Sequence, residues 1–451
     1  MANHSPLRRL LVVCTLLALL AASMGSALAQ EEGAEALELD PDTEFYVPKP
    51  NQGAKLQIAQ LISGGNPRDA ALIREMIDTP QAVWFTRGTP SSVLRDVRNT
   101  VKLAAAKKTV PVLVAYNIPF RDCAQFSAGG ATTVEEYMAW IDAFAAGIGG
   151  KKAVVILEPD GLGIIPYYDP YGSADGSSAL EWCQPPEADP ATAAADRFTM
   201  LNYAVDALKA KPNTLVYLDG THSAWLGAGD AAHRLVQAGV ERADGFFLNV
   251  SNYQFTTNLV QYGTWVSSCI AYATQVTPGD FFNCPNQYWN GGPFPAKIAE
   301  LLGEWTGVAL SSYGEWSDDT DVPELNTSGI NLRYANMLGE VEPATHFVID
   351  TSRNGQGPWL PPAGAYPDPQ DWCNPPDRGL GLRPTAGTGN PLLDAYLWVK
   401  IPGESDGECT RGLGPAGTTV DPEWGLIDPP AGDWFPEMAL DLVKLANPPL
   451  E

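Results

Sequence analysis

Residues 153–160 read Ala-Val-Val-Ile-Leu-Glu-Pro-Asp, and residues 110–122 read Val-Pro-Val-Leu-Val-Ala-Tyr-Asn-Ile-Pro-Phe-Arg-Asp. Each stretch is a short apolar run, rich in β-branched residues, that stops at an aspartate. Runs of this kind are typical of buried strands in a parallel sheet. Asp122 and Asp160 would then follow the C-terminal ends of two strands, where α/β barrels hold their catalytic groups. The two residues are therefore candidates for paired acid/base carboxylates; the alternative is that both merely cap the helices that follow.

The rest of the chain alternates strand-like with helix-like segments, which indicates right-handed βαβ units and a parallel sheet. We predict an α/β fold, a distorted (β/α) barrel of about seven parallel strands, with an open doubly wound sheet as the alternative. The predicted strands are 82–86, 109–116, 153–158, 214–219, 245–250, 345–350 and 396–401, and the predicted helices include 91–107, 133–148, 191–210 and 229–239.

Polar or aromatic side chains follow every predicted strand, so a barrel would gather them in a single cleft. Three long segments at the same edge, 166–189, 265–295 and 404–434, read as loops without secondary structure. Loops of this length usually form lids or walls. We therefore expect them to enclose the cleft as an active-site tunnel.

The N-terminus has the pattern of a secretory signal peptide. Arg8 and Arg9 precede an apolar stretch, and Ala27-Leu-Ala29 is a small-x-small cleavage site. We expect residues 1–29 to be removed, residues 30–43 to be an acidic mobile lead-in, and residues 44–451 to form one catalytic domain without a carbohydrate-binding module. The expected protein is secreted and extracellular. Losing two arginines from a net charge of −25 leaves −27, which disfavours nucleic acid and anionic membranes as partners.

The cysteines indicate disulfides. Cys14 lies in the predicted signal peptide, and six remain, an even number that favours disulfides in an exported protein. The residues alone permit fifteen pairings. With no CxxC motif and four histidines in the chain, no metal-ligand cluster is apparent, and we predict neither metal nor cofactor.

Aromatic residues point to a carbohydrate substrate. The chain has 13 tryptophans and 16 tyrosines, and indole faces stack on sugar rings while carboxylates and amides bind hydroxyls. Many of the tryptophans must pack beneath loops; Trp225 and Trp372 are the better candidates for sugar platforms, and Trp84 lies at a strand end. Paired carboxylates, without a Gly-x-Ser-x-Gly elbow or a phosphate loop, favour glycoside hydrolysis.

Several motifs together resemble glycoside hydrolase family 6, the cellulases. Tyr-x-x-Pro-x-Arg-Asp-Cys at 116–123, followed by Ser-Ala-Gly-Gly at 127–130, is similar to one family signature, and Ile-Leu-Glu-Pro-Asp-Gly-Leu at 156–162 to another. Further blocks at 219–227, 249–253, 371–374 and 398–407 follow in the family's order. The resemblance covers roughly residue 45 to the end, and several independent motifs in order make it specific.

The resemblance implies a role for each matched residue. Asp160 is the general acid, kept protonated by burial and by the charge of Asp122. Asp122 also stabilises positive charge on the sugar ring, and Asp406 is the proposed base unless a water chain, with Ser127 as a member, relays the proton. Tyr116 lies beside the distorted ring, Arg121 flanks Asp122, and Asp219 and His222 either bind sugar or hold their loop. The remaining implied sugar ligands are Asn249, Asn252, Lys400 and Glu404.

The resemblance also implies inversion at the anomeric carbon, with acid and base about 6.5–9.5 Å apart. It pairs Cys123 with Cys183 and Cys373 with Cys409, which leaves Cys269 with Cys284. Because the 404–434 segment is long and tethered by a disulfide, we expect it to roof the cleft. We therefore predict a cellobiohydrolase that releases cellobiose from non-reducing ends.

Two alternatives remain: an open-cleft endoglucanase of the same family and a non-catalytic carbohydrate-binding protein on a degenerate scaffold. The expected partners are cellulose chains and cello-oligosaccharides, and the expected state is a monomer.

Overall fold

The computed structural model describes residues 37–169, 182–293 and 307–451. Its centre is one sheet of seven parallel strands in chain order. They are β1 Val83–Phe85, β2 Val112–Ala115, β3 Ala153–Leu157, β4 Thr214–Asp219, β5 Gly245–Leu248, β6 His346–Asp350 and β7 Leu393–Leu397. The predicted signal peptide and the first half of the predicted lead-in, residues 30–36, lie outside the described residues.

The sheet curls until its two ends meet. The backbone N–H of Ala82, just before β1, donates to the carbonyl oxygen of Trp398, just after β7, at 2.9 Å. The indole Nε1 of Trp84 donates to the carbonyl oxygen of Val399 at 2.8 Å. These bonds bring the ends of the sheet together, and the predicted distorted barrel of seven parallel strands is confirmed.

Six strands lie where the sequence predicts them, but the seventh begins earlier than the predicted 396–401. β7 alternates buried with half-buried residues, and its polar member Asp394 interrupts the apolar pattern. The Tyr217 hydroxyl donates to one oxygen of Asp394 at 2.6 Å, and Nδ1 of His346 lies 2.7 Å from the other. A polar residue with partners on two other strands thus occupies a strand position that a continuous apolar run would not reveal.

Nine α-helices lie in the described part of the chain. They are α1 Gln52–Ser63, α2 Pro67–Asp78, α3 Pro90–Ala106, α4 Val134–Ile148, α5 Ala193–Lys209, α6 Ala228–Gln237, α7 Thr256–Ala271, α8 Ser328–Leu338 and α9 Pro436–Lys444. The four predicted helices are α3 to α6. Capping explains the clarity of two of them: the side chains of Thr89 and Thr133 accept backbone N–H bonds at the starts of α3 and α4.

The prediction that 265–295 is a loop without secondary structure is wrong for its first part. Trp265 lies in α7 and is 1% exposed, and its indole Nε1 donates to the Asn331 side chain at 2.7 Å. A π-helical turn, Tyr272–Val276, follows. The segment is therefore anchored in the core at its start.

Two apolar clusters hold the fold. The larger lies between the sheet and helices α3 to α8. The smaller joins α1, α2 and α9 over Trp398, where the two ends of the sheet meet. The smaller cluster thus covers the seam of the barrel.

The disulfides are Cys123–Cys183, Cys269–Cys284 and Cys373–Cys409, which confirms all three predicted pairs. None of the helices in the described ranges has the length and apolarity needed to cross a bilayer.

Candidate active site

The carboxyl ends of the strands surround a cavity of about 950 Å³. Residues on or just after β1 to β5 line it, as do residues of the long segments that follow β6 and β7. This is the edge where parallel barrels place their chemistry. Thirteen predicted site residues lie on its surface: Trp84, Tyr116, Arg121, Asp122, Ser127, Asp160, His222, Trp225, Asn252, Trp372, Lys400, Glu404 and Asp406.

Two predicted site residues lie behind the cavity wall instead. Asp219 is buried, and its Oδ2 accepts the backbone N–H groups of Leu162 and Gly163, each at 3.1 Å, so it holds the Asp160 loop. Asn249 is also buried, and its side-chain nitrogen donates to the carbonyl oxygen of Asp350 at 2.9 Å. The backbone uses their polar atoms, which leaves neither residue on the cavity surface as a sugar ligand.

The backbone is strained where the strands reach the cavity. Asp122 and Cys123 have φ values of 56° and 41°, and Glu158 and Asp160 have 54° and 62°. Non-glycine residues rarely occupy this left-handed region, and they keep it at functional sites only when the surroundings impose it. The two aspartates thus sit on turns that neighbouring groups must hold in place.

Two buried arginines help to hold the turn after Asp160 in place. Nη1 of Arg197 donates to the carbonyl oxygens of Gly161 and Ile164, both at 2.7 Å, and its Nη2 to that of Pro119 at 2.9 Å. Arg197 therefore ties the Asp160 turn to the segment that leads to Asp122. Arg234 adds a bond to the carbonyl oxygen of Leu162 at 2.8 Å.

A buried glutamate joins β2 to β3 beneath the site. The Glu158 carboxylate accepts the backbone N–H groups of Asn117 and Ile118 at 2.9 to 3.0 Å. Burial raises the pKa of Glu158 to about 7, against the opposing effect of those bonds. Glu158 is a support of the site and is absent from the cavity lining.

Asp160 is held in its protonated form. Burial raises its pKa well above the ordinary aspartate value, and the charges of Asp219, Asp122 and Asp406 raise it further, while Lys400 opposes them. A carboxyl group with a raised pKa keeps its proton at higher pH than an ordinary aspartate does, and can donate it to a leaving oxygen.

The pKa of Asp122 is also raised, but less than that of Asp160. Burial raises its pKa to about 6, while the backbone N–H of Ser127, 2.6 Å from Oδ2, and the charge of Arg121 both lower it. The Arg121 guanidinium lies 4.7 Å from the centre of the Tyr116 ring and donates to the carbonyl oxygens of Thr86, Tyr116 and Ser127. Arg121 therefore fixes the backbone around Asp122.

Asp406 is surrounded by donors. Its Oδ2 accepts from Arg353 Nη1 at 2.9 Å, from the Tyr253 hydroxyl at 2.9 Å and from the Asn374 backbone N–H at 3.0 Å. Lys400 Nζ lies 3.2 Å from Oδ1. Burial alone would raise the pKa of Asp406, but the two cations and these bonds lower it to about 2. Asp406 therefore stays charged at pH values above about 2.

Sequence reasoning missed the three donors to Oδ2 of Asp406. Arg353 follows β6, Tyr253 ends a block noted after β5, and Asn374 ends the Asp-Trp-Cys-Asn block. The Asp406 backbone N–H also donates to the Asn374 side-chain oxygen at 2.7 Å. The sequence offered one signal for these residues, which is that each follows a strand or lies in a motif block. It did not indicate that all three bind the same carboxyl oxygen.

Aromatic rings line several walls of the cavity. Trp84 meets Tyr116 edge to face at 5.5 Å, Trp225 lies 5.7 Å from His222, and Trp372 lies 6.0 Å from Phe126, each measured between ring centres. Burial lowers the pKa of His222 to about 3, so this imidazole is neutral and available as a hydrogen-bonding group.

The long segments contribute few of the described residues to the cavity surface, and Trp182 is the contribution of 166–189. Between 404 and 434, the lining residues are Glu404, Asp406 and 431–433. The intervening stretch turns away because the buried guanidinium of Arg411 donates to Asp421 at 2.7 Å and to the carbonyl oxygen of Cys373 at 2.8 Å. No residue of 265–293 lines the cavity, and part of 166–189 lies outside the described residues.

One group of potential metal ligands occurs in the described ranges, formed by Cys409, Asp421 and Asp428. The sulfur of Cys409 is bonded to Cys373, and Asp421 is paired with Arg411. The cluster is therefore a structural one behind the Asp406 loop.

Comparisons with known proteins agree with this geometry. A model of glycosyl hydrolases family 6 matches residues 40–446. Endoglucanase A of Cellulomonas fimi is 31% identical over 408 residues, which are 90% of this chain and 62% of that protein. The chain thus spans about three fifths of that relative's length. A probable 1,4-β-D-glucan cellobiohydrolase C of Neosartorya fischeri is 27% identical over 416 residues, 87% of this chain and 74% of that protein.

Among solved structures, the endoglucanase Cel6 of Mycobacterium tuberculosis is 30% identical, with a TM-score of 0.56. The match covers 89% of this chain and 96% of that one. That structure was solved in complex with methyl-cellobiosyl-4-deoxy-4-thio-β-D-cellobioside.

Proposed function

The chain belongs to glycosyl hydrolases family 6, and from that premise we propose that it is a cellulase that hydrolyses β-1,4-glucosidic bonds with inversion. The observation that carries the proposal is the pairing of a protonated with a charged carboxyl group in one cavity. Asp160 keeps its proton while Asp406 loses its own. An inverting glycosidase needs an acid at the leaving oxygen and a separate carboxylate on the water side.

We assign the general acid to Asp160. Asp122 supplies the nearby negative charge that retains the proton on Asp160, and the same charge stabilises the positive sugar ring of the transition state. Tyr116, which lines the cavity beside both aspartates, is placed against the ring that distorts.

The attacking water needs a proton acceptor, and Asp406 is a weak base because its pKa lies at about 2. We propose that Asp406 orients the water while the proton passes, beside Ser127, to Asp122, whose pKa of about 6 makes it the better acceptor. Direct proton uptake by Asp406 is the alternative.

We propose that the enzyme cuts cellulose chains internally and does not release cellobiose from their ends. The exo prediction relied on a roof formed by 404–434, and only the two ends of that segment line the cavity. The cellobiohydrolase relative is less similar than the endoglucanase one. The exo alternative keeps one support: Trp182, beside residues outside the described ranges, lines the cavity.

Two assays on the same enzyme preparation test the proposal. Phosphoric-acid-swollen cellulose should yield soluble cello-oligosaccharides, and their absence would overturn the cellulase assignment. Soluble carboxymethylcellulose should lose viscosity steeply while few reducing ends appear. Cellobiose as nearly the sole product, with viscosity maintained, would instead establish the exo alternative.

We further propose that the protein is exported after removal of residues 1–29 and acts as a monomer on cellulose and cello-oligosaccharides. Mass spectrometry of protein from the culture medium should find Gln30 at the N-terminus, and retention of Arg8 and Arg9 would contradict export by this route.

A further inference from the structure

Phe126 belongs to the loop that holds Asp122, and its side chain packs against the loop that holds Asp406. A Cβ atom placed on Gly407 would lie 2.3 Å from Cγ of Phe126 and 2.5 Å from its Cβ. Real Cβ atoms do not approach so closely, so the Phe126 side chain packs directly on the bare Cα of Gly407. Gly407 is the residue after Asp406, and its φ of 149° also favours glycine.

The Phe126 ring also contacts Trp372, whose ring centre lies 6.0 Å away with the planes inclined at 43°. Trp372 precedes Cys373, which is bonded to Cys409. The disulfide therefore joins the Trp372 loop to the Asp406 loop, and Phe126 packs against both parts of this stapled unit.

The loop that presents Phe126 is internally tied. Arg121 pairs with Gly129 in an antiparallel bridge and donates through Nε to the carbonyl oxygen of Ser127 at 2.8 Å. The Ser127 backbone N–H in turn donates to the Asp122 carboxylate. A displacement of the Phe126 ring would therefore be transmitted to the carboxyl group of Asp122.

We propose that Phe126 is a positioning residue whose ring, packed between Gly407 and Trp372, sets the separation of Asp122 from Asp406 across the reaction site. The inference rests on the proposed function. Phe126 acts through Asp122, and the small residue at 407 is required because the ring occupies the space of a side chain.

A double-mutant cycle of Phe126→Ala and Gly407→Ala tests this inference on swollen cellulose and soluble cello-oligosaccharides. Phe126→Ala should lower kcat about 10- to 100-fold, since misplacement by about 1 Å can cost that much, with KM changed less than about threefold. Gly407→Ala should lower kcat similarly in the wild-type background. Its effect should be at least about fivefold smaller in the Phe126→Ala background, because the steric clash has gone while the φ strain is common to both.

Two further measurements separate positioning from general destabilisation. Phe126→Tyr, which keeps the ring, should recover most of the kcat lost in Phe126→Ala. The basic limb of the kcat/KM pH profile should move to lower pH in Phe126→Ala, because a displaced Asp122 holds the Asp160 proton less firmly. Phe282→Ala, an exposed aromatic away from the cavity, serves as the matched control and should change neither property.

The inference fails if Phe126→Ala retains kcat within about twofold of wild type, or if the two substitutions act independently and multiply. Should Gly407→Ala not fold, as judged by thermal unfolding, the kcat and pH profile of Phe126→Ala decide alone. An inactive wild-type enzyme would refute the proposed function instead, so the two failures are distinguishable.

Discussion

Asp160 and Asp406 line the same cavity, yet their surroundings differ. The neighbours of Asp160 are mainly carboxyl groups, and those of Asp406 are mainly cations and hydrogen-bond donors. The charges of Asp219, Asp122 and Asp406 raise the pKa of Asp160 against the opposing effect of Lys400, and buried arginines hold the backbone of its turn. Asp406 accepts three hydrogen bonds at one oxygen and lies beside two cations. One residue type therefore has two protonation states in a single cavity, and the difference lies in the neighbours.

The largest expected effect is the loss of the proton donor. Asp160→Asn should lower kcat on cello-oligosaccharides by about 10³- to 10⁴-fold, since a positioned general acid contributes up to that amount. Affinity for oligosaccharides, measured by calorimetry, should change little because the amide keeps the shape of the carboxyl group. Asp96→Asn, at an exposed position of α3, is the control; an active Asp160→Asn enzyme would mean the acid is misassigned.

The stabilisation of Asp406 by cations can be tested at Arg353, which forms an ion pair with it. Arg353→Met should cost about 3–5 kcal/mol of unfolding free energy, because it leaves a buried carboxylate with one cation fewer. Chemical denaturation measures this cost. Arg95→Met, which removes the exposed ion pair with Asp96, should cost under about 1 kcal/mol. Equal costs for the two variants would show that the Asp406 surroundings are not strongly coupled.

Glu158 and Asp406 should change the pH dependence of stability in opposite directions, because burial raises the pKa of Glu158 and cations lower that of Asp406. Its pKa is raised to about 7 in the folded protein, so between about pH 4.5 and 7 the unfolded chain loses the proton that the folded chain keeps. Stability should therefore fall as pH rises through this window, by about 3 kcal/mol for this group at most. Glu158→Gln should flatten the slope, and an unchanged slope would assign it to other groups. Asp406, with its lowered pKa, has the opposite sign and loses its contribution only as pH falls below about 4.

Asp122→Asn should change the rate less than Asp160→Asn does, and should change the pH profile more specifically. We expect kcat to fall about 10²- to 10³-fold. Removing a negative charge lowers the pKa of Asp160, so the basic limb of kcat/KM should move to lower pH. A basic limb that stays in place would show that Asp122 does not retain the proton on Asp160.

Local sequence predicted the parts of the molecule that local physics determines. Short apolar runs located six strands, and residues just after five of those strands lie on the cavity. Asp394 concealed the start of β7, because its partners are on other strands. The direction of the 404–434 segment depends on Arg411 and Asp421, which meet only in the fold, and the donors to Asp406 converge from three separate segments. Contacts between polar groups that are far apart in the chain could not be predicted from the sequence.

The claim that one cavity holds a protonated and a charged aspartate can be measured directly by carboxyl ¹³C NMR on protein labelled at aspartate Cγ. Asp160→Asn and Asp406→Asn assign the two resonances by their disappearance. We predict that the Asp160 resonance titrates well above the ordinary aspartate value of about 4, while Asp406 stays charged at every pH above about 2. An Asp160 that titrates at the ordinary value, or an Asp406 that gains its proton before Asp160 does, would contradict the account.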